Sequence, residues 1–481
     1  MKLINPLVIL RVLSTILFLE TIAFLICLPV AHIFNESPYP FLCSALISII
    51  ISVSFFLLSK NTSIDKITNR EGFIVVSLSW FLFSILGTVP YVLSGSVSSF
   101  IDAFFESASG FTTTGATIIK DIEILPFSIM FWRNLTQWIG GLGIILLVII
   151  ILPSLKMTAQ QLLSMESSLK EKILPKTKAI GYRLLYIYLG LTLIEIILLY
   201  LGDMNLFDSI CHTLSTVSTG GYSTRNTSIS EYSSYSQIII AIFMFLSGIS
   251  FVIYYYLVKL RLRKIVKNEE LWFYTAFTVA AGIAATLILF HNGGIIFSNA
   301  VKEGFFQVIS IITTTGFTST DYLKWPSAGV MLIFILLFTG ASTGSTTGGI
   351  KMLRHLLVIK NIRNIFRRII HPSAISQIKL NGKLINENVN LSVISFVVFY
   401  LFIFIIGTIL IVLTGSDPVT SASAVISTLG NTGPGLGSIG PIYTYAPMSD
   451  TSKVIFSFLM IIGRLEINTI FILFTKSFWR L

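Results

Sequence analysis

Charge is what this chain of 481 residues is short of: only 11% of its residues are Asp, Glu, Lys or Arg, while 54% are apolar and mean hydropathy is +0.85. A soluble domain carries about a quarter charged residues, so an ordinary water-soluble fold is excluded. Cysteine is scarce too. Cys27, Cys43 and Cys211 lie in or beside apolar segments without metal-ligand spacing, which leaves no thiolate metal site. The five histidines, His32, His212, His291, His355 and His371, have no recurrent spacing. A Walker-type Gly-x-x-x-x-Gly-Lys-Ser/Thr run and a dinucleotide fingerprint are both missing, so any nucleotide control must come from another subunit. With no clustered acids, histidines or nucleophile at one interface, the chain is expected to be no enzyme and to bind no cofactor itself.

What is abundant is long apolar sequence. Runs at 139–152, 185–201, 238–258, 391–413 and 454–474 approach or exceed the ~20 residues that cross a hydrocarbon core. Lipid offers backbone groups no partner, so these runs must be helices. The first stretch, 8–30, lacks a small-residue cleavage site and is followed almost at once by another span, so it reads as a retained helix.

The formal net charge of +11 is distributed by position. Lys2, Arg11, Lys60, Lys66, Arg70, Lys156, Lys170, Lys172, Lys176, Lys178 and Arg183 fall in the N-terminal segment and alternate connections, and later connections continue the series, to 26 of 33 bases. The positive-inside rule then puts both termini in the cytoplasm. A nucleic-acid patch would not alternate in this way, and no nucleic acid is expected as a partner. On the opposite face twelve acids, among them Asp102, Asp208, Asp417 and Asp450, meet six bases, and they predict an acidic vestibule that gathers cations.

Four short outer segments resemble one another: AFFESASGFTTTGAT at 103–117, SICHTLSTVSTGGY at 209–222, GFFQVISIITTTGFT at 304–318 and VTSASAVISTLGNT at 419–432. Aligned on Gly115, Gly220, Gly316 and Gly430, they are 105, 96 and 114 residues apart. Each lies between two spanning helices. The predicted fold is an all-α polytopic membrane protein with four pseudo-repeats of helix, half-helix, loop and helix around one pore, plus two N-terminal helices. Its expected divisions are 1–69, 70–180, 181–268, 269–388 (with a broken second helix and a cytoplasmic hairpin) and 389–481. The half-helices are too short to cross and should be re-entrant, with Asp102, Asp208 and Asp417 as N-terminal caps. Entering from outside, each points its carbonyl end toward the membrane centre, where its dipole favours a cation.

The candidate ion-binding loops are Thr113-Thr114-Gly115-Ala116, Ser218-Thr219-Gly220-Gly221, Thr314-Thr315-Gly316-Phe317 and Thr428-Leu429-Gly430-Asn431. Glycine permits the positive φ that turns successive carbonyls to one side, and the hydroxyls brace the turn or add an oxygen. None of the four holds a charge. Recognition by carbonyl dipoles suits a desolvated monovalent cation, whereas a divalent ion calls for a carboxylate ring.

Below the third loop a helix that should run on is interrupted by TGASTGSTTGGI at 339–350, which contains Gly340, Gly344, Gly348 and Gly349. Each helix-interior glycine costs about 1 kcal/mol relative to alanine, so the stretch should unwind and line the conduction path. Close packing through small residues is the alternative. Arg464 lies within the last apolar run, where a charge is expensive and implies a function. It is expected to bind the carbonyls of the broken stretch or to set a positive barrier, with Lys351 contributing or snorkelling. Glu466 is a poor direct partner for it. Glu20 and Glu195, also within apolar runs, have no evident partner. Asn381-Gly382, within the basic connection 351–390, reads as a hairpin tip suited to a soluble partner.

The four Thr-x-Gly loops, the two leading helices and the glycine-rich break together resemble the TrkH family, the membrane subunits of bacterial Trk potassium-uptake systems, within the superfamily that also holds KtrB and the fungal and plant Trk/HKT proteins. The resemblance covers essentially the whole chain. It implies a bacterial inner-membrane protein carrying potassium at the four loops, an intramembrane gate at 339–350, Arg464 at the constriction, a homodimer, and a cytosolic nucleotide-binding partner like TrkA. In that family a serine at the first-loop glycine goes with sodium permeation, so Gly115 favours potassium. The residues after the aligned glycines, Ala116, Gly221, Phe317 and Asn431, depart from the Thr-Val-Gly-Tyr-Gly pattern of tetrameric potassium channels, which implies looser discrimination against rubidium and sodium. A carrier coupled to protons or sodium would use the same loops and need a coupling site besides.

Overall fold

The computed structural model describes residues 4–62, 68–151, 174–371 and 377–479. Of the basic residues used to orient the chain, Lys2, Lys66, Lys156, Lys170, Lys172 and Arg480 lie outside the described residues. The described chain is helical apart from two minimal two-stranded pairs. Among the described residues six helices are long and apolar enough to cross a membrane: Pro6–Ile33, Tyr39–Leu58, Arg70–Leu93, Gly181–Tyr200, Glu269–Asn292 and Glu387–Val412. The leading pair packs closely because small hydroxyls face the neighbouring backbone, with Ser48 Oγ donating to the Leu17 carbonyl (3.1 Å) and Ser52 Oγ to that of Ser14 (2.7 Å). Phe24 of this pair lies 4.6 Å, centroid to centroid, from Trp132, which also meets Phe111 at the end of the first half-helix. The pair is thus anchored to the first repeat.

The half-helices are Phe100–Phe111, Leu206–Val217, Phe297–Ile312 and Pro418–Gly430, of 12 to 16 residues. At about 1.5 Å per residue none reaches across a core of about 30 Å. Their capping differs from expectation. Only Asp417 caps, accepting the Thr420 amide at 2.9 Å. Ser99, Asn205 and Ile296 occupy the other cap positions, so Asp102 and Asp208 fall inside the first turn. There an acid still complements the helix dipole, and Asp102 pairs with Lys453 at 2.6 Å while Asp208 accepts the Thr224 hydroxyl at 2.6 Å.

The Thr420 hydroxyl and amide hold the Asp417 carboxyl below the usual carboxylate range. Asp417→Ala should therefore lower stability by about 1 kcal/mol, read as a lower Tm in detergent. A depressed folded-state pKa contributes stability above the unfolded-state carboxylate pKa and loses it as pH falls through the folded value. The Tm gap between wild type and variant is expected to close in acid; a gap that persists there would remove the cap as its cause.

Two runs expected as continuous spans are bent. Ser234–Ser247 and Phe251–Val258 meet at 92°, and Asp450–Arg464 and Ile467–Phe474 at 104°. Backbone freed inside a bilayer must find protein partners. At the first bend the Gly248 carbonyl accepts the Ser342 amide and the Phe251 amide reaches the Gly344 carbonyl, each at 3.0 Å, so the glycine-rich stretch fills the break. At the second, Glu466 takes a positive φ of 59° and pairs with Arg354 at 2.7 Å. Arg464 is accordingly the last residue of a helix, not the middle of one.

The third unit is broken. Helix Ser327–Leu336 ends, the chain wanders from Leu337 to Lys351, and helix Met352–Ile370 resumes. Thr339–Gly340 pairs parallel to Ile350–Lys351 and closes the stretch into a loop. Beyond it Lys379–Leu380 and Lys383–Leu384 form the antiparallel hairpin, with Asn381 (φ 50°) and Gly382 (φ 77°) in the left-handed conformation a two-residue turn requires. Leu380 is buried in a cluster with Leu353, Leu357 and Val393, so the hairpin is packed onto the helices.

Candidate functional site

After each half-helix the backbone makes the same turn. A residue with φ between 52° and 57° is followed two positions later by a glycine with φ between 79° and 98°: Thr113 and Gly115, Thr219 and Gly221, Thr314 and Gly316, Asn431 and Gly433. The residue between them returns its amide to the carbonyl five positions back in all four cases: Thr114 to Ser109, Gly220 to Ser215, Thr315 to Ser310 and Thr432 to Ser427, at 2.8–2.9 Å.

This geometry corrects the alignment. Gly221 and Gly433, not Gly220 and Gly430, match Gly115 and Gly316. In the fourth segment the helix continues through Thr428, Leu429 and Gly430, and Asn431 is its left-handed cap. In the second, Ser218 is still the helix cap. Conformation sets the register, and a helical glycine looks like a loop glycine in sequence.

The four turns close on one another. A β-carbon on Gly115 would collide with the Gly220 carbonyl oxygen, one on Gly221 with that of Thr315, one on Gly316 with that of Thr432, and one on Gly433 with that of Thr114. Each glycine thus lies against the carbonyl of the equivalent residue in the next loop, and the fourth returns to the first. A cavity of about 120 Å³ on the outer side is lined by all four of these glycines. Four segments about a hundred residues apart therefore share one axis.

Side chains hold the ring from behind. Thr112 and Thr114 share a hydroxyl hydrogen bond at 2.7 Å, as do Thr313 and Thr315 at 2.8 Å. Thr112, Ser218 and Thr313 each return their hydroxyl to a carbonyl of the last helical turn. Glu106 pairs with Arg133 at 2.9 Å, both fully buried, and also accepts the Thr117 hydroxyl and the Ile118 amide. Removing one partner of such a pair would strand the other charge.

Gln137 was not singled out from sequence. Its Nε2 donates to the Gly220 carbonyl at 2.8 Å and its Oε1 accepts the Tyr222 amide at 3.1 Å, which makes the second loop unlike the others. The available signal was a polar stripe, Arg133, Asn134, Thr136 and Gln137, within an apolar helix. His212, assigned no chemistry, bridges the Asp208 carbonyl and the Ser223 hydroxyl (2.8 and 2.9 Å), and its ring lies 5.9 Å from that of Phe317. Ala116 and Phe317 are buried, and Ala116 lines the cavity.

The glycine-rich loop touches the ring from the other side. The Gly348 amide donates to Thr314 Oγ1 at 2.8 Å, Thr219 Oγ1 donates to Thr346 Oγ1 at 3.3 Å, and Gly348 is pressed against the Gly430 carbonyl and the Asn431 side chain. Gly340 in turn lies against the Gly348 carbonyl, while Gly344 and Gly349 take positive φ. Arg464, buried, donates to the Thr346 carbonyl at 2.5 Å and the Gly140 carbonyl at 3.0 Å. A residue of the fourth repeat thereby ties the loop of the third to the helix of the first. Lys351 is buried and holds the Thr347 carbonyl and hydroxyl.

The lining of the outer cavity is not acidic. Among the described residues it includes Lys120, Arg133 and Arg225 and no Asp or Glu. The outer acids are used locally: Asp121 and Glu123 bind Asn226, Glu36 accepts the Phe127 and Ser128 amides, and Asp203 accepts the Ser233 amide and the Ser236 hydroxyl.

With this geometry in hand, the chain can be set beside known proteins. The model of the TrkH family, described as cation transport protein, matches residues 41–480. The "Trk system potassium uptake protein TrkH" of Escherichia coli strain K12 is 36% identical over 425 residues, covering 86% of this chain and 87% of that protein. Its namesake in Halomonas elongata is 32% identical over 478 residues, covering 98% and 99%. The crystal structure of the potassium transporter TrkH from Vibrio parahaemolyticus superposes with a TM-score of 0.90 at 30% identity, covering 99% of this chain and 100% of that one.

Proposed function

The chain belongs to the TrkH family of cation transport proteins, and from that premise we propose that it takes up potassium across the bacterial inner membrane by channel-like conduction through the four-loop ring. The supporting observation is the closed succession of carbonyls, Thr114, Gly220, Thr315 and Thr432, each against the left-handed glycine of another repeat. Fixed carbonyl dipoles on one axis replace the hydration shell of a desolvated monovalent ion without a charged group. Potassium is the substrate here, held in passing, and rubidium is expected to follow it. The residues proposed to hold it are Thr113 to Gly115, Thr219 to Gly221, Thr314 to Gly316 and Asn431 to Gly433.

The glycine-rich loop is the proposed gate. It lies across the inner side of the ring, and its glycines give it conformations that a helix forbids. Arg464 and Lys351 hold it in place by its carbonyls. Alternation of the basic residues supports cytoplasmic termini. A second copy of the chain and a cytosolic nucleotide-binding subunit like TrkA are proposed partners, since the chain carries no nucleotide motif of its own.

Flux into liposomes tests the conduction mechanism. Purified protein should pass rubidium down its own electrochemical gradient whether or not a proton or sodium gradient is present. Uptake that demands either gradient would replace conduction with coupled symport.

A further inference from the structure

The hairpin and the glycine-rich loop are separated in sequence by the helix Met352–Ile370, yet both are fastened to consecutive residues, Glu269 and Glu270, in the first turn of the helix Glu269–Asn292. The hairpin tip and Glu269 exchange two hydrogen bonds: the Asn381 amide donates to Glu269 Oε1, and the Glu269 amide to Asn381 Oδ1, each at 2.8 Å. Lys360 reinforces this contact by pairing with Glu269 and reaching the Lys379 carbonyl. The next side chain, Glu270, is buried. Its Oε1 accepts the Thr343 amide at 2.6 Å and the Leu353 amide at 3.2 Å, one inside the glycine-rich loop and one just past its end.

A turn of helix is stiff, so the backbones of two adjacent residues in it move together, and each carboxylate is held to its partner by the hydrogen bonds above. We propose that Glu269 and Glu270 form a mechanical coupler, through which displacement of the cytoplasmic hairpin loosens the glycine-rich loop. The hairpin is then the input for control from the cytoplasm and Glu270 a positioning residue of the loop. That regulatory meaning rests on the reading of the loop as the gate; the coupling itself does not.

Amide hydrogen exchange on the full-length protein reads the coupling without any ion flux, so its failure is distinguishable from failure of the conduction reading. Asn381→Gly is the probe, because glycine keeps the left-handed turn and the backbone amide and removes the side chain that carries the Oδ1 acceptor. A net hydrogen bond of about 1 kcal/mol corresponds to about five-fold faster exchange in the segment released. Asn381→Gly is expected to speed exchange in peptides covering 339–353 by about that factor, while Lys383→Ala, on the exposed side of the same hairpin, leaves them unchanged. Coupling free energy is reciprocal, so Glu270→Gln should speed exchange at the hairpin amides 379–384 as well as in the loop. Faster exchange confined to the hairpin in Asn381→Gly, equal loosening by Lys383→Ala, or an unchanged hairpin in Glu270→Gln would each overturn the proposal.

Discussion

Arg464→Ala is expected to raise rubidium uptake into liposomes at least ten-fold over wild type in the absence of any partner subunit. The side chain spends two donors on carbonyls of different repeats, Thr346 and Gly140, beneath the ring. A hydrogen bond from a charged group contributes about 1.5–3 kcal/mol, and about 1.4 kcal/mol is ten-fold in an equilibrium. Removing both bonds releases the loop and at the same time takes a fixed positive charge off the proposed ion route. Arg464→Lys keeps the charge but presents a point donor where a planar fork bridged two acceptors, so its uptake should fall between the two. Uptake unchanged in Arg464→Ala would mean that the guanidinium neither restrains the loop nor obstructs the path.

The second large effect separates two glycines three residues apart. Gly433→Ala should cut rubidium uptake at least ten-fold, whereas Gly430→Ala should stay within about two-fold of wild type. At Gly433 the backbone has φ 98°, and an added β-carbon lies 2.6 Å from the Thr114 carbonyl oxygen. Left-handed strain at a non-glycine residue costs about 1–3 kcal/mol before any overlap, and relief of that overlap must move a ring carbonyl. At Gly430 the nearest atom to such a carbon is the Leu337 carbonyl oxygen at 3.1 Å, in ordinary helical backbone, and a shift of a few tenths of an ångström accommodates it. The reverse order of effects would restore the register in which Gly430 matches Gly115. The same reasoning gives Gly115→Ser a higher sodium-to-potassium flux ratio, because its β-carbon displaces the Gly220 carbonyl and loosens the ring.

The difference between those two glycines shows where sequence reasoning stopped. Thr-Thr-Thr-Gly recurs in the first and third segments, and there the alignment and the structure agree on Gly115 and Gly316. The second and fourth segments offer Thr-Gly-Gly and Leu-Gly-Asn-Thr-Gly, in which more than one glycine fits the pattern. Only the φ angles and the amide returned five residues back distinguish them. Gln137 escaped for a related reason: a polar residue in a spanning helix signals a buried partner but does not say which loop it serves.

The acidic mouth failed differently. A count of charges by face treats every acid as free to act on solvent. Asp203, Asp121, Glu123 and Glu36 are instead engaged with amides, hydroxyls and an asparagine side chain, and Asp102 with a lysine, within a few ångströms of themselves. What faces the outer cavity is basic. The two bends were invisible for the converse reason, since hydropathy averages over a break, and at the first of them the freed backbone is satisfied by a distant loop.

By itself the sequence determined the medium, the helical class, the fourfold repetition and the unwinding of 339–350, because these follow from composition, run length and the local cost of glycine. Tertiary structure alone decided which glycines face one another, what Arg464 and Glu270 hold, and where the outer acids are engaged. Those outcomes depend on contacts between residues distant in sequence, 30 positions apart for Asp203 and Ser233 and 324 for Arg464 and Gly140, and local preference is silent about which of several equally suitable glycines or acids a distant segment will meet.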